Sequence, residues 1–193
     1  MSVRQATEYP WNGRVEIEVR PDRPVEFALA VRIPGWCRRA SLTVAGRTVD
    51  LRRVTVKGYA VIRRQWRPGD RVRLTLDMPV EQVEAHPAVR QDCGRVALQR
   101  GPLVYCLEEC DNGPYLHDIL LDRSCRWQAR RKPGFAGGTV VLTGRGWRRE
   151  MKGWKDALYR TERSRLRRVS LTAVPYALWG NRRAGEMVVW VGR

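Results

Sequence analysis

The chain has 193 residues, of which 43% are hydrophobic, and its 37 Lys and Arg against 20 Asp and Glu give a formal net charge of +17. The apolar fraction excludes a disordered chain, and the length suits one large domain or two small ones. No run of ~18 apolar residues exists, so no membrane-spanning helix and no membrane partner are predicted. The polar N-terminus has no apolar signal region, which predicts a cytoplasmic location.

Apolar and polar residues alternate with period two through the first half of the chain. Val15, Ile17 and Val19 share one face in this pattern, as in a half-buried strand. Turn signals at 45–46, 57–58 and 68–70 separate such segments. The predicted strands of this half are 14–20, 25–33, 41–44, 59–63 and 71–78.

The second half begins after a polar stretch, 81–92, which contains Pro87 and is interpreted as a linker. Its predicted strands are more apolar and lie at 95–98, 103–107, 139–142, 169–176 and 187–191. Short strands divided by turns, without an amphipathic helix, favour antiparallel sandwiches. The sequence therefore predicts an all-β fold of two consecutive antiparallel β-sandwich domains, at 1–84 and 85–193.

A strongly basic segment interrupts the second half at 145–168, with ten Lys or Arg against three acidic residues. Trp147, Trp154 and Tyr159 are interleaved with the charges, and such a mixture could track a nucleic-acid strand or an acidic polysaccharide. We favour a solvated connection between two strands. Nucleic-acid binding is disfavoured because the charges of the whole chain are scattered, and because 33 of the 37 basic residues are arginines, a bias that coding composition alone can produce.

The chain contains eight tryptophans, a large number for its length. Five of them adjoin a turn or end a predicted strand: Trp11, Trp36, Trp66, Trp179 and Trp190. A tryptophan in such a place usually caps a sandwich core, so we expect these five to be packed. An exposed tryptophan on a sheet face would instead stack on a sugar ring.

Acidic residues cluster at Glu108, Glu109 and Asp111. Two carboxylates can act as acid and base in glycoside cleavage if they face each other across the bond. Glu108 and Glu109 are neighbours on a predicted strand and point to opposite faces, so they cannot act as a pair. Glu108 with Asp111, or with a carboxylate elsewhere in the chain, is the possible pair. We favour a structural interpretation, a strand that ends in an Asp-Asn-Gly turn.

The five cysteines are an odd number and too few for a disulfide scaffold. They are Cys37, Cys93, Cys106, Cys110 and Cys125, and we expect reduced, largely buried thiols. His86 and His117 fit no ligand pattern around Cys106 and Cys110, so no metal site is predicted. The sequence also has no nucleophile elbow, phosphate loop or dinucleotide fingerprint. No catalytic residue is therefore assigned, and the substrate-binding residues remain unassigned.

Several multi-residue blocks, taken together and in order, resemble one known family. They are TEYPWNG at 7–13, RIPGWC at 32–37, GRVALQRGPLVYC at 94–106 and PYALWGNR at 175–182. The chain resembles the part of glycoside hydrolase family 127 that follows the catalytic domain, over nearly its whole length. Members of that family include β-L-arabinofuranosidases.

The resemblance implies a helical α/α toroid that carries the chemistry, followed by two β-sandwich domains. It further implies a zinc-bound cysteine thiolate as nucleophile and a glutamate as acid/base, both on the helical domain. Since that domain has no counterpart here, none of the five cysteines is assigned as a zinc ligand, and no cofactor is expected in this chain. The implied partners are the catalytic α/α domain and arabinose-containing glycans.

The expected role is therefore a non-catalytic β-sandwich portion that supports the catalytic domain of a β-L-arabinofuranosidase-like enzyme. The alternatives are a stand-alone carbohydrate-binding module and, second, a basic nucleic-acid-binding protein. A chain that starts inside the opening strand of the first sandwich is expected to expose an apolar face and to self-associate. Two departures from the family are the basic segment at 145–168 and the pair Ala45-Gly46, where an Asn-Gly hairpin is common. With alanine there, a type I′ turn is expected to be weaker, so that a different turn can form.

Overall fold

Strands make up most of the regular structure in the computed structural model, which describes residues 1–154 and 157–193. The all-β class is confirmed. The chain forms two compact units, Met1–Pro79 and Val80–Arg193. Lys155 and Asp156, which belong to the predicted basic segment, lie outside the described residues. Within the described ranges, no helix is long and apolar enough to cross a membrane.

The first unit contains eight strands and one short helix among its described residues. The strands are β1 (Ser2–Thr7), β2 (Arg14–Arg20), β3 (Val25–Arg32), β4 (Ala40–Val44), β5 (Arg47–Val49), β6 (Thr55–Val56), β7 (Tyr59–Trp66) and β8 (Asp70–Leu76), and the helix is α1 (Leu51–Val54). One sheet has the order β1-β2-β8-β4-β5 and the other β3-β7-β6.

The core of this unit forms from the alternating apolar residues of both sheets. In β8, Val72, Leu74 and Leu76 are buried while Arg73 and Thr75 between them are exposed, because successive side chains of a strand point to opposite faces. Trp66 of β7 is completely buried in the same cluster, and its indole N–H donates to the carbonyl of Phe27 at 3.1 Å.

The β4–β5 hairpin differs from the sequence expectation. Val44 pairs with Arg47, so the loop has two residues, Ala45 and Gly46, with φ of 48° and 78°. Positive φ at both positions is the pattern of a type I′ turn, whose twist matches that of the strands. The expectation of a different turn was wrong: the fit of this turn to the hairpin outweighs the strain of a left-handed alanine.

The second unit contains the remaining strands and several short helices. Its strands are β9 (Val80–Glu84), β10 (Arg95–Arg100), β11 (Leu103–Glu108), β12 (Ile119–Leu121), β13 (Gln128–Lys132), β14 (Thr139–Arg149), β15 (Leu166–Pro175), β16 (Met187–Val188) and β17 (Val191–Gly192). An α-helical turn, α2, spans Glu109–Asn112, and 3₁₀ turns span Arg90–Asp92, Leu116–Asp118 and Tyr176–Leu178.

Six of these strands close a ring, in the order β11-β15-β14-β12-β17-β10 and back to β11. All neighbours in the ring are antiparallel except β12 and β17, which are parallel. The unit is thus a small barrel extended by further strands, where the sequence predicted two separate sheets. Period-two alternation reports which face of a strand is buried and is the same for a sandwich and a barrel, so it could not distinguish them.

The first strand of the second unit, β9, follows Pro79 directly and pairs with β10. Two further expectations need correction. The basic segment is not a loop throughout: its ends belong to β14 and β15, which pair as far as Arg149 with Leu166. Trp179 is 46% exposed instead of packed, because it follows the surface turn Tyr176–Leu178.

Candidate functional site

The acidic cluster of the sequence lies where β11 ends and α2 begins. Glu108 is only 4% exposed, and its Oε1 accepts a hydrogen bond from the backbone N–H of Gly180 at 2.7 Å. The guanidinium of Arg182 donates to the other oxygen of Glu108 and to both oxygens of Asp111, at 2.7 and 2.6 Å. These contacts fasten the loop that follows β15 to the end of β11.

Glu109 and Glu186 form a separate set of contacts. Glu109 Oε2 accepts from the backbone N–H of Glu186 at 2.9 Å, and Glu186 Oε2 accepts from that of Leu116 at 2.7 Å. Glu108 and Glu109 therefore engage different groups, as their neighbouring positions required. Glu108 and Asp111 both bind Arg182, so this pair does not face a bond to be cleaved, and a structural role accounts for every carboxylate of the cluster.

Asn112 extends the barrel beyond the end of β11. Its side-chain amide donates to the carbonyl of Thr172 at 2.9 Å and accepts from the N–H of Thr172 at 3.0 Å. The amide thus replaces the backbone of a neighbouring strand for one residue of β15. It also donates to the carbonyl of Glu108 at 2.9 Å, which holds the helical turn α2 against the sheet.

Ligand atoms of Glu108, Cys110 and Asp111 lie within 4.8 Å of one another, close enough to share a metal ion. The guanidinium of Arg182 already neutralises the two carboxylates. Desolvation by burial, followed by the charge of Asp111, raises the pKa of the Cys110 thiol and opposes the thiolate that zinc requires. These three residues therefore do not fit a zinc ion.

The remaining cysteines and histidines have separate surroundings. Cys37 donates to the carbonyl of Arg39 at 3.1 Å, Cys125 accepts from the N–H of Arg145 at 3.0 Å, and Cys93 is exposed. His86 accepts from the backbone of Ala88, and the ring of His117 packs edge-on against Tyr115. No described contact joins a cysteine to a histidine, and all five thiols are free.

The three aromatic residues of the basic segment do not form a row. The guanidinium of Arg168 lies over the ring of Trp147 at 5.0 Å, and that of Arg160 lies over Trp154 at 4.1 Å. Tyr159 is 90% exposed and has no described ring contact. One face of Trp147 and one face of Trp154 are thus covered by arginines, and only Tyr159 of the three is described as largely exposed.

Sequence reasoning missed a cleft in the first unit, formed at the sheet edges β1 and β3. It has a volume of about 730 Å³. Apolar core residues such as Val15 and Leu74 form its floor, and Tyr9 and Trp36 stand at its rim with their rings 6.5 Å apart and nearly parallel. We call it the aromatic cleft. Its two rings belong to the blocks TEYPWNG and RIPGWC, whose aromatic residues were the available signal.

A second opening, of about 560 Å³, lies on the outer face of β13, β14 and β15 in the second unit. We call it the basic groove, and its lining includes Arg126, Arg130, Thr143, Arg145, Arg168 and Ser170. Little in the sequence indicates this groove, because β13 has no apolar alternation and all five of its residues are exposed.

These features define a class of protein, an all-β chain of two compact units in which one cluster of carboxylates holds surface loops and the openings described above are surface clefts. A model of the GH127 middle domain, described as beta-L-arabinofuranosidase, matches residues 1–78, and a model of the glycoside hydrolase family 127 C-terminal domain matches residues 80–192. The chain belongs to glycoside hydrolase family 127.

Individual relatives agree with this assignment. The chain is 36% identical to the non-reducing end beta-L-arabinofuranosidase of Bifidobacterium longum subsp. longum, in an alignment that covers 100% of this chain and 30% of the relative. It superposes on the crystal structure of a GH127 beta-L-arabinofuranosidase from Geobacillus stearothermophilus T6 with a TM-score of 0.96 and 49% identity, over 98% of this chain and 30% of that one. A GH127 beta-arabinofuranosidase structure gives a TM-score of 0.86 at 32% identity, over 98% and 31% of the two chains. The chain thus spans about a third of its relatives and corresponds to a portion of such a glycoside hydrolase.

Proposed function

We propose that this chain is the non-catalytic β-domain portion of a β-L-arabinofuranosidase-like enzyme and supports a helical catalytic domain that binds the zinc ion. In this proposal the first unit is the β-sandwich of the family's middle domain, since buried residues of its two sheets meet in one core. The second unit, with its closed ring of strands, corresponds to the family's C-terminal domain.

One observation carries the proposal: two consecutive family models account for residues 1–78 and 80–192 in the order middle domain, C-terminal domain. The local chemistry agrees with it. Glu108 and Asp111, the carboxylates that the sequence offers for glycoside cleavage, are both occupied by Arg182.

Complementation of the Geobacillus relative tests this role. The region of that enzyme matched by this chain is replaced with residues 1–193, and hydrolysis of a chromogenic β-L-arabinofuranoside is compared with that of the enzyme truncated before the region. We expect the chimera to be active, and both the truncated enzyme and the present chain alone to be inactive. Hydrolysis by the present chain alone would overturn the proposal, and so would a truncated enzyme as active and as stable as the chimera.

A stand-alone carbohydrate-binding module is the second candidate, and the aromatic cleft favours it because Tyr9 and Trp36 present two nearly parallel rings at its rim. Binding of arabinan is measured by calorimetry for the wild type, Tyr9→Ala and Trp36→Ala. Tyr59→Ala is the control, since Tyr59 is as exposed as Tyr9 and does not line the cleft. Arabinan binding that is lost only in Tyr9→Ala and Trp36→Ala would support this candidate. The candidate would be rejected if the wild type does not bind arabinan, or if all three variants, including Tyr59→Ala, lose binding equally.

Two further expectations remain predictions. We propose a cytoplasmic location, for which the five free thiols are the supporting observation. Self-association through an apolar face is checked by gel filtration at moderate salt, where a monodisperse monomer would contradict it.

A further inference from the structure

The outer face of β14 and β15 changes character along its length. At one end, Val141 and Val174 are buried in an apolar cluster together with Cys106 and Phe135. Further along the same face, Thr143 pairs with Thr172, Arg145 with Ser170, and Trp147 with Arg168. No described residue packs over this second part, and most of its residues line the basic groove. The sheet therefore presents an ordered polar surface on a rigid support.

The charges of the basic groove are unbalanced. Four arginines line it, Arg126, Arg130, Arg145 and Arg168, against the single carboxylate of Asp122. Asp122 accepts hydrogen bonds from the backbone and hydroxyl of Ser124, at 2.9 and 2.7 Å, and is 3.9 Å from Arg168. Among the described residues, no carboxylate pairs with Arg126 or Arg145. The groove therefore attracts anions.

The neutral groups of the groove fit a ligand rich in hydroxyls. The hydroxyls of Thr143, Ser170 and Thr172 line the same surface and can both donate and accept hydrogen bonds. The volume of about 560 Å³ lies within the range of about 300–1,000 Å³ typical of small-molecule sites. A single-stranded nucleic acid would require open aromatic faces for its bases, whereas no residue of the described lining is aromatic. The ring of Trp147, further along the same face, has the guanidinium of Arg168 over it.

We propose that the basic groove binds an acidic oligosaccharide, whose carboxylates pair with Arg126 and Arg145 while its hydroxyls bond the threonine and serine side chains. Guanidinium groups suit this role because they bind carboxylates through two parallel hydrogen bonds. The choice of a saccharide rests on the proposed function as part of a glycoside hydrolase; the choice of an anion rests on the arginines.

The test measures binding of an oligogalacturonate by calorimetry, with a neutral galactan oligosaccharide and an oligothymidylate of equal charge as comparison ligands. The key variant is the double substitution Arg126→Gln, Arg145→Gln. Its matched control is Arg4→Gln, Arg63→Gln, which removes the same charge from exposed strand positions of the first unit. All four positions are exposed, so both variants should fold, and their thermal unfolding is recorded to confirm it.

We expect the wild type to bind the oligogalacturonate, with an affinity that falls as salt rises from roughly 50 to 200 mM. The groove variant should lose affinity by at least about tenfold, because two charge-assisted contacts are removed. The control should stay within about twofold. Any of three results would overturn the proposal: the wild type does not bind the oligogalacturonate, both variants lose the same affinity, or either comparison ligand binds as tightly as the oligogalacturonate. The complementation experiment involves no acidic glycan. Failure of the proposed function in that experiment is therefore distinguished from failure of the basic groove to bind an acidic oligosaccharide.

Discussion

The carboxylate of Glu108 accepts a hydrogen bond from the backbone N–H of Gly180 at 2.7 Å, across 72 positions of the chain. With Arg182 bound to its second oxygen, this buried side chain joins the end of β11 to the loop after β15. A residue that sequence patterns offer as a catalytic acid is thus a structural anchor, and its effect on stability can be measured.

Glu108→Ala should lower the free energy of unfolding of the second unit by about 2–3 kcal/mol, because it leaves the N–H of Gly180 without its acceptor and removes one of the two carboxylates that bind Arg182. The measurement is urea denaturation followed by NMR signals of each unit. Glu162→Ala, an exposed position with no described partner, is the control and should change stability little. Equal stabilities of the two variants would contradict the anchoring role.

Gly13 is required by a close approach of two backbone segments. A Cβ built on Gly13 would lie 1.9 Å from the carbonyl oxygen of Leu76, whose own N–H donates to the carbonyl of Gly13 at 2.9 Å. Gly13→Ala should therefore displace β2 from β8 and destabilise the first unit by about 1–3 kcal/mol or more. Gly35→Ala is the matched control, since a Cβ there meets no atom within 4 Å. A thermal melt that does not separate the two variants would refute this explanation.

How much of this fold the sequence predicts depends on how each strand is buried. β2, β3, β7 and β8 each bury one face, so their period-two patterns indicated them directly. β1 and β13 are exposed on both faces and carry no alternation. β17 has two residues and is held by pairing with β10 and β12, which depends on the whole barrel. Local patterns therefore identified the strands that bury one face and missed those that are exposed on both faces or held only by pairing.

Separation along the chain explains which parts of the candidate sites the sequence predicted. The cluster Glu108–Asp111 was visible because its members are adjacent in sequence, while their partner Arg182 lies more than 70 positions away. The basic groove draws Arg126 and Arg168 from different strands and loops, so its charge imbalance appears only after β13, β14 and β15 are paired.

Burial should protect Cys106 from alkylation. Desolvation is the main cause that raises the pKa of this thiol to about 12, and the side chain is only 2% exposed. At pH 8, iodoacetamide followed by mass spectrometry should label the exposed Cys93 first and leave Cys106 unlabelled until the second unit unfolds. Equal labelling rates of the two thiols in the native protein would show that the barrel opens at this site.

The same buried thiol predicts a loss of stability in alkali. The folded-state pKa lies above the ordinary value of 9.0, so the unfolded chain releases this proton first and is favoured as the pH rises from about 9 towards 12. Cys106→Ala should make the free energy of unfolding of the second unit fall less steeply between pH 9 and about 11. Cys93→Ala is the control and should leave the slope unchanged, and identical slopes in both variants would contradict the assignment.

Asp122 should respond to loss of the hydroxyl that bonds it. The hydrogen bond from the Ser124 side chain is the largest of the causes that lower the pKa of this carboxyl. The associated stability is present above the ordinary pKa and is lost as the pH falls through the lowered one. Ser124→Ala should raise the pKa of Asp122 towards its ordinary value, as followed by NMR titration of its carboxyl carbon. Ser170→Ala, which removes a hydroxyl from the same groove without a described bond to Asp122, should not change it.

The hairpin between β4 and β5 offers a stabilising substitution. Ala45 has a φ of 48°, a left-handed conformation that costs an alanine about 1 kcal/mol and that asparagine tolerates better. Ala45→Asn should therefore stabilise the first unit by about 0.5–1 kcal/mol, measured as a raised urea midpoint with an unchanged slope. Thr48→Asn, in the adjacent strand where no left-handed residue is needed, is the control and should be neutral or destabilising. If Ala45→Asn gives no gain over this control, the turn is not under the strain that its φ indicates.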